Sequence, residues 1–349
     1  MTIPDYDIFH RFDSERVGNP WDSYHLNQGP ELINIETTWR CNFRCKMCGH
    51  SNPNVALPPQ LDFPLETVKH LSPILATAKT IWLAGCGEPL LHPQIFEIIL
   101  QIKSVNQAAT VAFNTNGALL SDENIDKLIQ SGLDWMHVSF DGYDNEFGHS
   151  EAPLVISNLR NLRNRKRRLR VEHPLVRLVT VLMRNNAGQL KRIIDECAEA
   201  DIYSLGIQPL RAVQGNPNFE HFWERDIYSN KDYVLPLLRE ATAYGQAKEI
   251  EILTYFMDEG MTVCRQRCTF PFIFFHVSTI GDVFMCCDGK PADENVYQKD
   301  AWEIWNSDVY KKLRLMVDTE SYDQKCLECT VLQPDIRVKD TLKSHPYLS

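Results

Sequence analysis

The sequence predicts an α/β fold: six strand–helix units around a parallel sheet, followed by a small cysteine-bearing α+β unit. Three observations predict it. Short β-branched or apolar runs alternate with stretches of helical periodicity from about residue 31 to 210. The bulk composition, 44% hydrophobic, 23% charged and 10% aromatic over 349 residues, is that of an ordinary folded chain rather than a disordered or collagenous one. The 11 cysteines crowd toward the two ends and are nearly absent from the alternating middle.

The strand candidates are Leu32–Thr37, Thr80–Leu83, Thr110–Phe113, Trp135–Phe140, Val176–Val181 and Ser204–Gln208. Helix candidates fill the intervals at 65–77, 93–104, 122–131, 152–168 and 187–200. Their start signals are Ser121 with Asn124, Pro93 in a first turn, and Asn186. Residues 211–260 read as a connector with one or two helices, its loop marked by Gly215, Asn216 and Pro217. Beyond it, Phe272–Val277 and Val283–Met285 flank a turn as a hairpin. Ala301–Val317 follows as a helix with Trp302, Trp305 and Leu313 on one face. The expected division is an N-terminal extension at 1–30, the repeated core at 31–215, the connector at 216–260, the cysteine-bearing unit at 261–335 and a tail at 336–349.

Thirty-six Lys and Arg against 46 Asp and Glu give a net charge of -10, which disfavours general attraction to nucleic acid or an anionic membrane. No apolar run has the length of a membrane span and the start lacks a cationic, then apolar leader, so a cytoplasmic location is expected. In a reducing compartment a disulfide framework is improbable, and cysteines in this number point to metal or redox chemistry.

Cys41, Cys45 and Cys48 form a C-x3-C-x2-C run just after the first strand. Three thiolates on so short a loop can hold three corners of a cubane iron–sulfur cluster, leaving the fourth iron open to another ligand. A zinc site completed by His50 is the competing reading. Cys268, Cys286, Cys326 and Cys329, with 17, 39 and 2 residues between them, supply four thiolates for a second, closed cluster, or for a structural zinc.

The stretch Glu36-Thr-Thr-Trp-Arg-Cys-Asn-Phe-Arg-Cys-Lys-Met-Cys-Gly-His50 resembles the signature of the radical S-adenosylmethionine (SAM) enzymes, whose core is a partial (β/α)6 TIM-like barrel. The resemblance implies that SAM chelates the open iron and is reductively cleaved to a 5′-deoxyadenosyl radical, which abstracts a substrate hydrogen. Met47 stands where many members place an aromatic residue against adenine; a thioether can pack there too.

Loops at the ends of later strands extend the resemblance. Gly85, Gly87, Glu88 and Pro89 look like the GGEP loop that meets the SAM amino group. Asn114 and Asn116, then Ser139 and Asp141, are similar to positions that touch ribose and carboxylate, and Gln208 to one lining the adenine. Each alone is ordinary turn chemistry; one per strand end, in order, is not. The C-terminal cysteines, with the segment Glu303–Ser307, resemble the SPASM/twitch extension in its shorter, one-cluster form, which implies two [4Fe-4S] clusters in all.

The reaction expected from this resemblance is oxidation of a small polar, carbohydrate-like substrate in biosynthesis, with Arg211 as a candidate base. Alternatives are an epimerase with Cys264 or Cys287 as hydrogen-atom donor, a maturase of a ribosomally made peptide, and a non-catalytic iron–sulfur or zinc scaffold. Cys197, on a helix, reads as a buried small hydrophobe. Seven basic residues between Arg160 and Arg170 read as a solvated helix face or as a dock for a flavodoxin- or ferredoxin-type electron donor.

Overall fold

The computed structural model describes residues 26–143, 151–210, 224–254, 268–286, 289 and 291–327. Through the first half, strands and helices alternate: β1 (Leu32–Ile35), α1 (Thr67–Leu75), β2 (Thr80–Leu83), α2 (Ile95–Val105), β3 (Thr110–Thr115), α3 (Asp122–Ser131), β4 (Trp135–Ser139), α4 (Ala152–Leu169), β5 (Leu175–Leu182), α5 (Leu190–Glu199) and β6 (Ser204–Pro209). Then come α6 (Lys231–Ala247), β7 (Glu251–Thr254), α7 (Phe270–Ile273), β8 (Phe274–Val277), β9 (Asp282–Phe284), β10 (Pro291–Asn295), α8 (Ala301–Trp305), α9 (Asp308–Asp318) and α10 (Gln324–Leu327).

All ten strands belong to one sheet in the order β10-β9-β8-β1-β2-β3-β4-β5-β6-β7. From β8 to β7 every pairing is parallel; only the β8–β9–β10 meander is antiparallel. No pairing joins β7 to β10 among the described residues, so hydrogen bonds do not close the sheet into a barrel.

Register and period-two alternation sort the side chains onto two faces. Ile33, Ile35, Ile81, Leu83, Val111, Phe113, Met136, Val138, Leu178, Leu205, Ile207, Phe275 and Val277 share one face and are fully buried. They pack against Val68, Leu71, Ile98, Ile102, Ile125, Leu128, Val155, Leu159, Ile193 and Ile194 of the surrounding helices. At about 1.5–3 kcal/mol per buried side chain this interface is the main source of the fold's stability. The opposite face is mixed: Asn34, Trp82, His137, Arg177, Ser204 and His276 fall on it by the same register. Polar groups there are knit together, Arg177 donating to Ser204 Oγ at 2.8 Å and Ser204 donating to Glu251 at 3.1 Å.

The six core strands and five helices stand within two or three residues of where their patterns place them. The Ser121 hydroxyl caps α3 by accepting from Asn124 N at 3.2 Å. Cys197 is fully buried in α5.

Three elements differ from expectation. The connector carries, besides α6, a seventh parallel strand, β7, on β6. The strand expected from Phe272 begins only at Phe274, because residues 270–273 form a helical turn with Pro271 in its first turn, where proline starts a helix more readily than it joins a ladder. The long helix expected over Ala301–Val317 is two helices. The Asn306 side chain donates to Leu26 O at 3.1 Å and accepts from Leu26 N at 2.8 Å, tying this position to the chain entering β1, and Ser307 is extended. The C-terminal hairpin is not set apart from the core sheet: β8 pairs in parallel with β1, and the hairpin turns at Gly281, whose φ of 84° suits glycine.

Candidate functional site

The cysteine loop leaves β1 at its C-terminal end, and two neighbouring loops close on it. Gly87 is the tightest junction: a Cβ there would lie 2.4 Å from both Arg40 O and Thr38 O. A Cβ on Gly85 would lie 2.4 Å from Glu36 Cγ. Only glycine lets the loop after β2 approach the cysteine loop this closely. With no side chain in the way, Glu88 N donates to Arg40 O at 2.7 Å, and Pro89 opens a short 3-10 turn.

Glu88 is the buried hub of the site, 2% exposed. Its carboxylate accepts from Thr115 Oγ1 at 2.7 Å, Asn116 N at 2.7 Å and Leu90 N at 3.2 Å, which draws the loop after β3 onto the loop after β2. Asn116 Nδ2 then donates to Asn42 Oδ1 at 2.8 Å, between the first two cysteines. Burial pushes the Glu88 pKa up to about 7 against the pull of those hydrogen bonds.

Asp141, after β4, is also buried, and its pKa is likewise pushed up to about 7 despite accepting from Val181 N at 2.7 Å. Asn186 steadies this loop by donating to Asp141 O and Val181 O at 3.1 and 2.9 Å. Asp141 reaches the cysteine loop electrostatically. The Cys45 thiol is pushed up to about 12, first by burial and then by the charges of Cys48, Asp141 and Cys41. Burial also raises Cys41, with Glu88 and Cys48 among its neighbours. A fourth thiol, Cys86, hydrogen-bonds Glu36 and feels Cys48; it too is pushed up to about 12, chiefly by burial.

These residues suit an iron–sulfur cluster with a polar ligand. Among the described residues no three His, Cys, Asp or Glu side chains gather tightly enough for a single ion. A cubane, by contrast, needs its three thiols spread around separate irons. Thiols whose ionisation burial opposes need a multivalent cation to become thiolates, and two buried carboxylates raised by burial favour a cationic ligand group.

The other predicted contacts divide. Asn114, Ser139 and Gln208 lie on the mixed face near the ends of β3, β4 and β6. Met47 is half-buried in the cysteine loop. On the C-terminal side, Cys268 and Cys286 pack on an apolar group of Leu32, Phe270, Ile273 and Phe274. Cys326 lies in α10, its N–H donating to Asp323 at 3.0 Å. Arg211, Cys264, Cys287 and Cys329 lie outside the described residues.

Glu36 and Asn42, within the signature stretch, and Thr115, between Asn114 and Asn116, also belong to the site, through contacts distant in sequence that the motifs do not specify. Glu36 also accepts from Thr279 N at 3.2 Å, tying the C-terminal hairpin to the end of β1. The basic run of α4 is largely spent inside the molecule. Arg160 pairs with Glu196 and Glu199, Arg165 with Asp126, and Arg167 with Asp201. This favours the helix-face reading over the docking one.

A three-thiol loop after the first strand of a parallel α/β sheet, sealed by a buried Glu from the second, defines the radical SAM class. The chain belongs to the radical SAM superfamily, whose model matches residues 35–173, and an iron–sulfur cluster-binding domain of the SPASM type matches residues 268–330. It is thus a radical SAM enzyme whose family binds SAM and a [4Fe-4S] cluster, with auxiliary cluster binding in the SPASM part.

The chain is 25% identical to the AdoMet-dependent heme synthase of Methanosarcina barkeri, over 87% of this chain and 89% of that one. It is 22% identical to the tungsten-containing aldehyde ferredoxin oxidoreductase cofactor-modifying protein of Pyrococcus furiosus, over 89% and 90%. In fold it is similar to Streptococcus suis SuiB bound to S-adenosylmethionine, with a TM-score of 0.62 at 15% identity over 87% of this chain and 72% of that one. No helix among the described residues is long and apolar enough to cross a membrane.

Proposed function

We propose that this chain is a radical SAM oxidoreductase of a biosynthetic pathway that dehydrogenates a small polar, carbohydrate-like substrate. In this reading Cys41, Cys45 and Cys48 hold the SAM cluster, and Cys268, Cys286, Cys326 and Cys329 hold one auxiliary [4Fe-4S] cluster. The observation that carries it is the buried Glu88 carboxylate, bonded to the loops after β2 and β3 and sealed against the cysteine loop. Two relatives matched over nearly nine-tenths of the chain are named for heme synthesis and for cofactor modification, which supports a biosynthetic role.

When bound, the two clusters and SAM supply a low-potential electron, a hydrogen-abstracting radical and an electron acceptor. The chain's own groups bind and orient. Glu88 presents a dry carboxylate to the SAM ammonium, and Gly85 and Gly87 let backbone approach it. Asn114, Asn116, Ser139 and Asp141 offer hydrogen-bonding groups to ribose and carboxylate. Pro89 starts the turn that aims Glu88, while Met47 and Gln208 flank the adenine. Low-potential reduction calls for a flavodoxin- or ferredoxin-type donor.

Anaerobic reconstitution followed by dithionite-driven SAM cleavage tests the assignment. 5′-Deoxyadenosine is expected from wild type and Cys268→Ala and not from Cys45→Ala. Equal yields from Cys45→Ala and wild type would overturn it. Carbon-deuterated sugars and aminocyclitols then read the substrate class: deuterium appears in 5′-deoxyadenosine, and label arriving only from a deuterated peptide would refute the carbohydrate reading.

A further inference from the structure

His276 is a half-buried histidine whose Nε2 is itself buried and is used by no other group among the described residues. It lies on β8, where the register puts it beside Asn34 of β1 and opposite Phe284 of β9. Its ring sits 5.3 Å from that of Phe284 and 6.2 Å from that of Phe274. Its Nε2 is buried and has no hydrogen-bond partner among the described residues.

A second histidine gives the contrast. His92 is 4% exposed, and both its nitrogens are satisfied, Nε2 by Phe63 O at 2.8 Å and Nδ1 by Gln94 N at 3.0 Å. His92 is a structural residue. Leaving a ring nitrogen dry and unbonded, as at His276, is destabilising, and such a group is retained where an absent ligand satisfies it.

The neighbours indicate what that ligand is. Cys286 lies in the bend two residues beyond Phe284, just past the end of β9. Phe274, whose ring meets that of His276 edge to face, belongs to the apolar group on which both Cys268 and Cys286 pack. Through Phe274 the imidazole and the two thiols border one apolar group, and a cluster is a body that extends outward from its cysteine sulfurs. The imidazole is neutral there, since burial lowers its pKa to about 4, and a neutral ring offers one N–H.

We propose that His276 is a positioning residue of the auxiliary centre: its Nε2–H donates a hydrogen bond to a sulfur of the cluster held by Cys268 and Cys286. The inference rests on the auxiliary-cluster reading above. A hydrogen bond to a cluster sulfur stabilises the more negative, reduced state and so raises the reduction potential. The cluster is thereby a better electron acceptor than its otherwise apolar surroundings would make it.

The test uses the full-length protein with Cys41, Cys45 and Cys48 all changed to Ala, reconstituted with iron and sulfide so that only the auxiliary cluster remains. Dye-mediated redox titration followed by electron paramagnetic resonance compares this protein with the same protein carrying His276→Leu or His276→Gln. His276→Leu is expected to lower the midpoint, with the reduced fraction at a fixed potential falling several-fold. His276→Gln keeps an N–H donor and is expected to hold most of the potential. Unchanged midpoints in both variants overturn the proposal.

Melting of the cluster-free protein provides the second readout. Leu in place of an orphaned imidazole is expected to leave the melting temperature unchanged or higher. A marked fall would show that His276 has a structural partner and would also overturn the assignment. Absence of iron and of any reduced-cluster signal in the background protein refutes the auxiliary-cluster reading, and with it this one; iron content separates that failure from an unchanged midpoint.

Discussion

The two cysteine-bearing regions are built on opposite principles. Around Cys41, Cys45 and Cys48 the protein places hydrogen-bonding groups: Glu88 takes three donors from the loops after β2 and β3, and Asn116 reaches back to Asn42. Around Cys268 and Cys286 it places hydrocarbon, with Leu32, Phe270, Ile273 and Phe274 under the thiols. Behind them the fully buried Arg314 donates to Pro271 O and Trp305 O at 2.9 and 2.8 Å, with its guanidinium 4.4 Å from the Trp305 ring. The first region suits a polar, exchangeable ligand that must be oriented. The second suits a compact group buried for good, where a lone polar atom such as His276 Nε2 counts for more than it would in a wet site.

If that contrast is right, the first region fails through geometry. Gly87→Ala has the largest expected effect. Its Cβ would meet two backbone carbonyl oxygens at 2.4 Å, and backbone cannot swing aside as a side chain can. The loop after β2 must then lift off the cysteine loop, breaking the bond from Glu88 N to Arg40 O. We expect a cost of about 3 kcal/mol or more. In anaerobic iron titration and SAM-binding measurements the variant loses SAM binding while its auxiliary iron persists. Loss of both irons together would mean that the two regions are not separable.

A smaller effect comes from charge. The Glu88 pKa rises from its ordinary value of 4.5 to about 7 on folding, so the folded chain keeps a proton that the unfolded chain releases. Below pH 4.5 both states are protonated and Glu88 carries no penalty. As pH rises through the window from 4.5 to about 7, the metal-free protein loses stability, by about 3 kcal/mol from this group at 1.36 kcal/mol per pKa unit. Asp141 adds a loss of the same sign up to about pH 7. Urea unfolding of metal-free protein at pH 5 and pH 8 should therefore show a fall that Glu88→Gln reduces and Glu88→Gln with Asp141→Asn nearly removes. An unchanged pH dependence in the double variant would break the claim that the first region buries its carboxylates at a cost.

The same contrast explains what was legible in the sequence. The six strand–helix units are local patterns, and they read correctly because β-branched runs and helical periodicity are fixed within a dozen residues. β7 was not legible: Glu251–Thr254 is a short edge strand with exposed ends and no clean alternation. Nor was the break in the C-terminal helix, because Asn306 owes it to Leu26, 280 residues away. The parallel pairing of β8 with β1 likewise has no local signal. In the site, Glu88 could be read from its loop, whereas Thr115, Asn42 and Glu36 could not. Their roles exist only once distant loops are folded together. The basic run of α4 was ambiguous for the same reason, its partners Asp126, Glu196, Glu199 and Asp201 lying on other elements.

The smallest expected effect lies at the seam between the two regions. Thr279, in the turn between β8 and β9, donates through Oγ1 to Gln60 O at 2.8 Å, and Gln60 Nε2 donates back to Thr279 O at 2.6 Å. Its backbone N–H reaches Glu36, which also hydrogen-bonds Cys86. Thr279→Val keeps the shape and the backbone bonds and removes only the hydroxyl, leaving one carbonyl short of a donor. The cost is about 1 kcal/mol, or a fall of about 2 °C in melting temperature for a chain of this size. If the seam only fastens the hairpin, both clusters load normally and 5′-deoxyadenosine formation is unchanged. If the seam sets the position of Glu36, and through it Cys86 beside the cysteine loop, SAM cleavage falls further than so small a loss of stability can account for. That result would make the C-terminal hairpin a wall of the SAM site as well as the bearer of the second set of thiols.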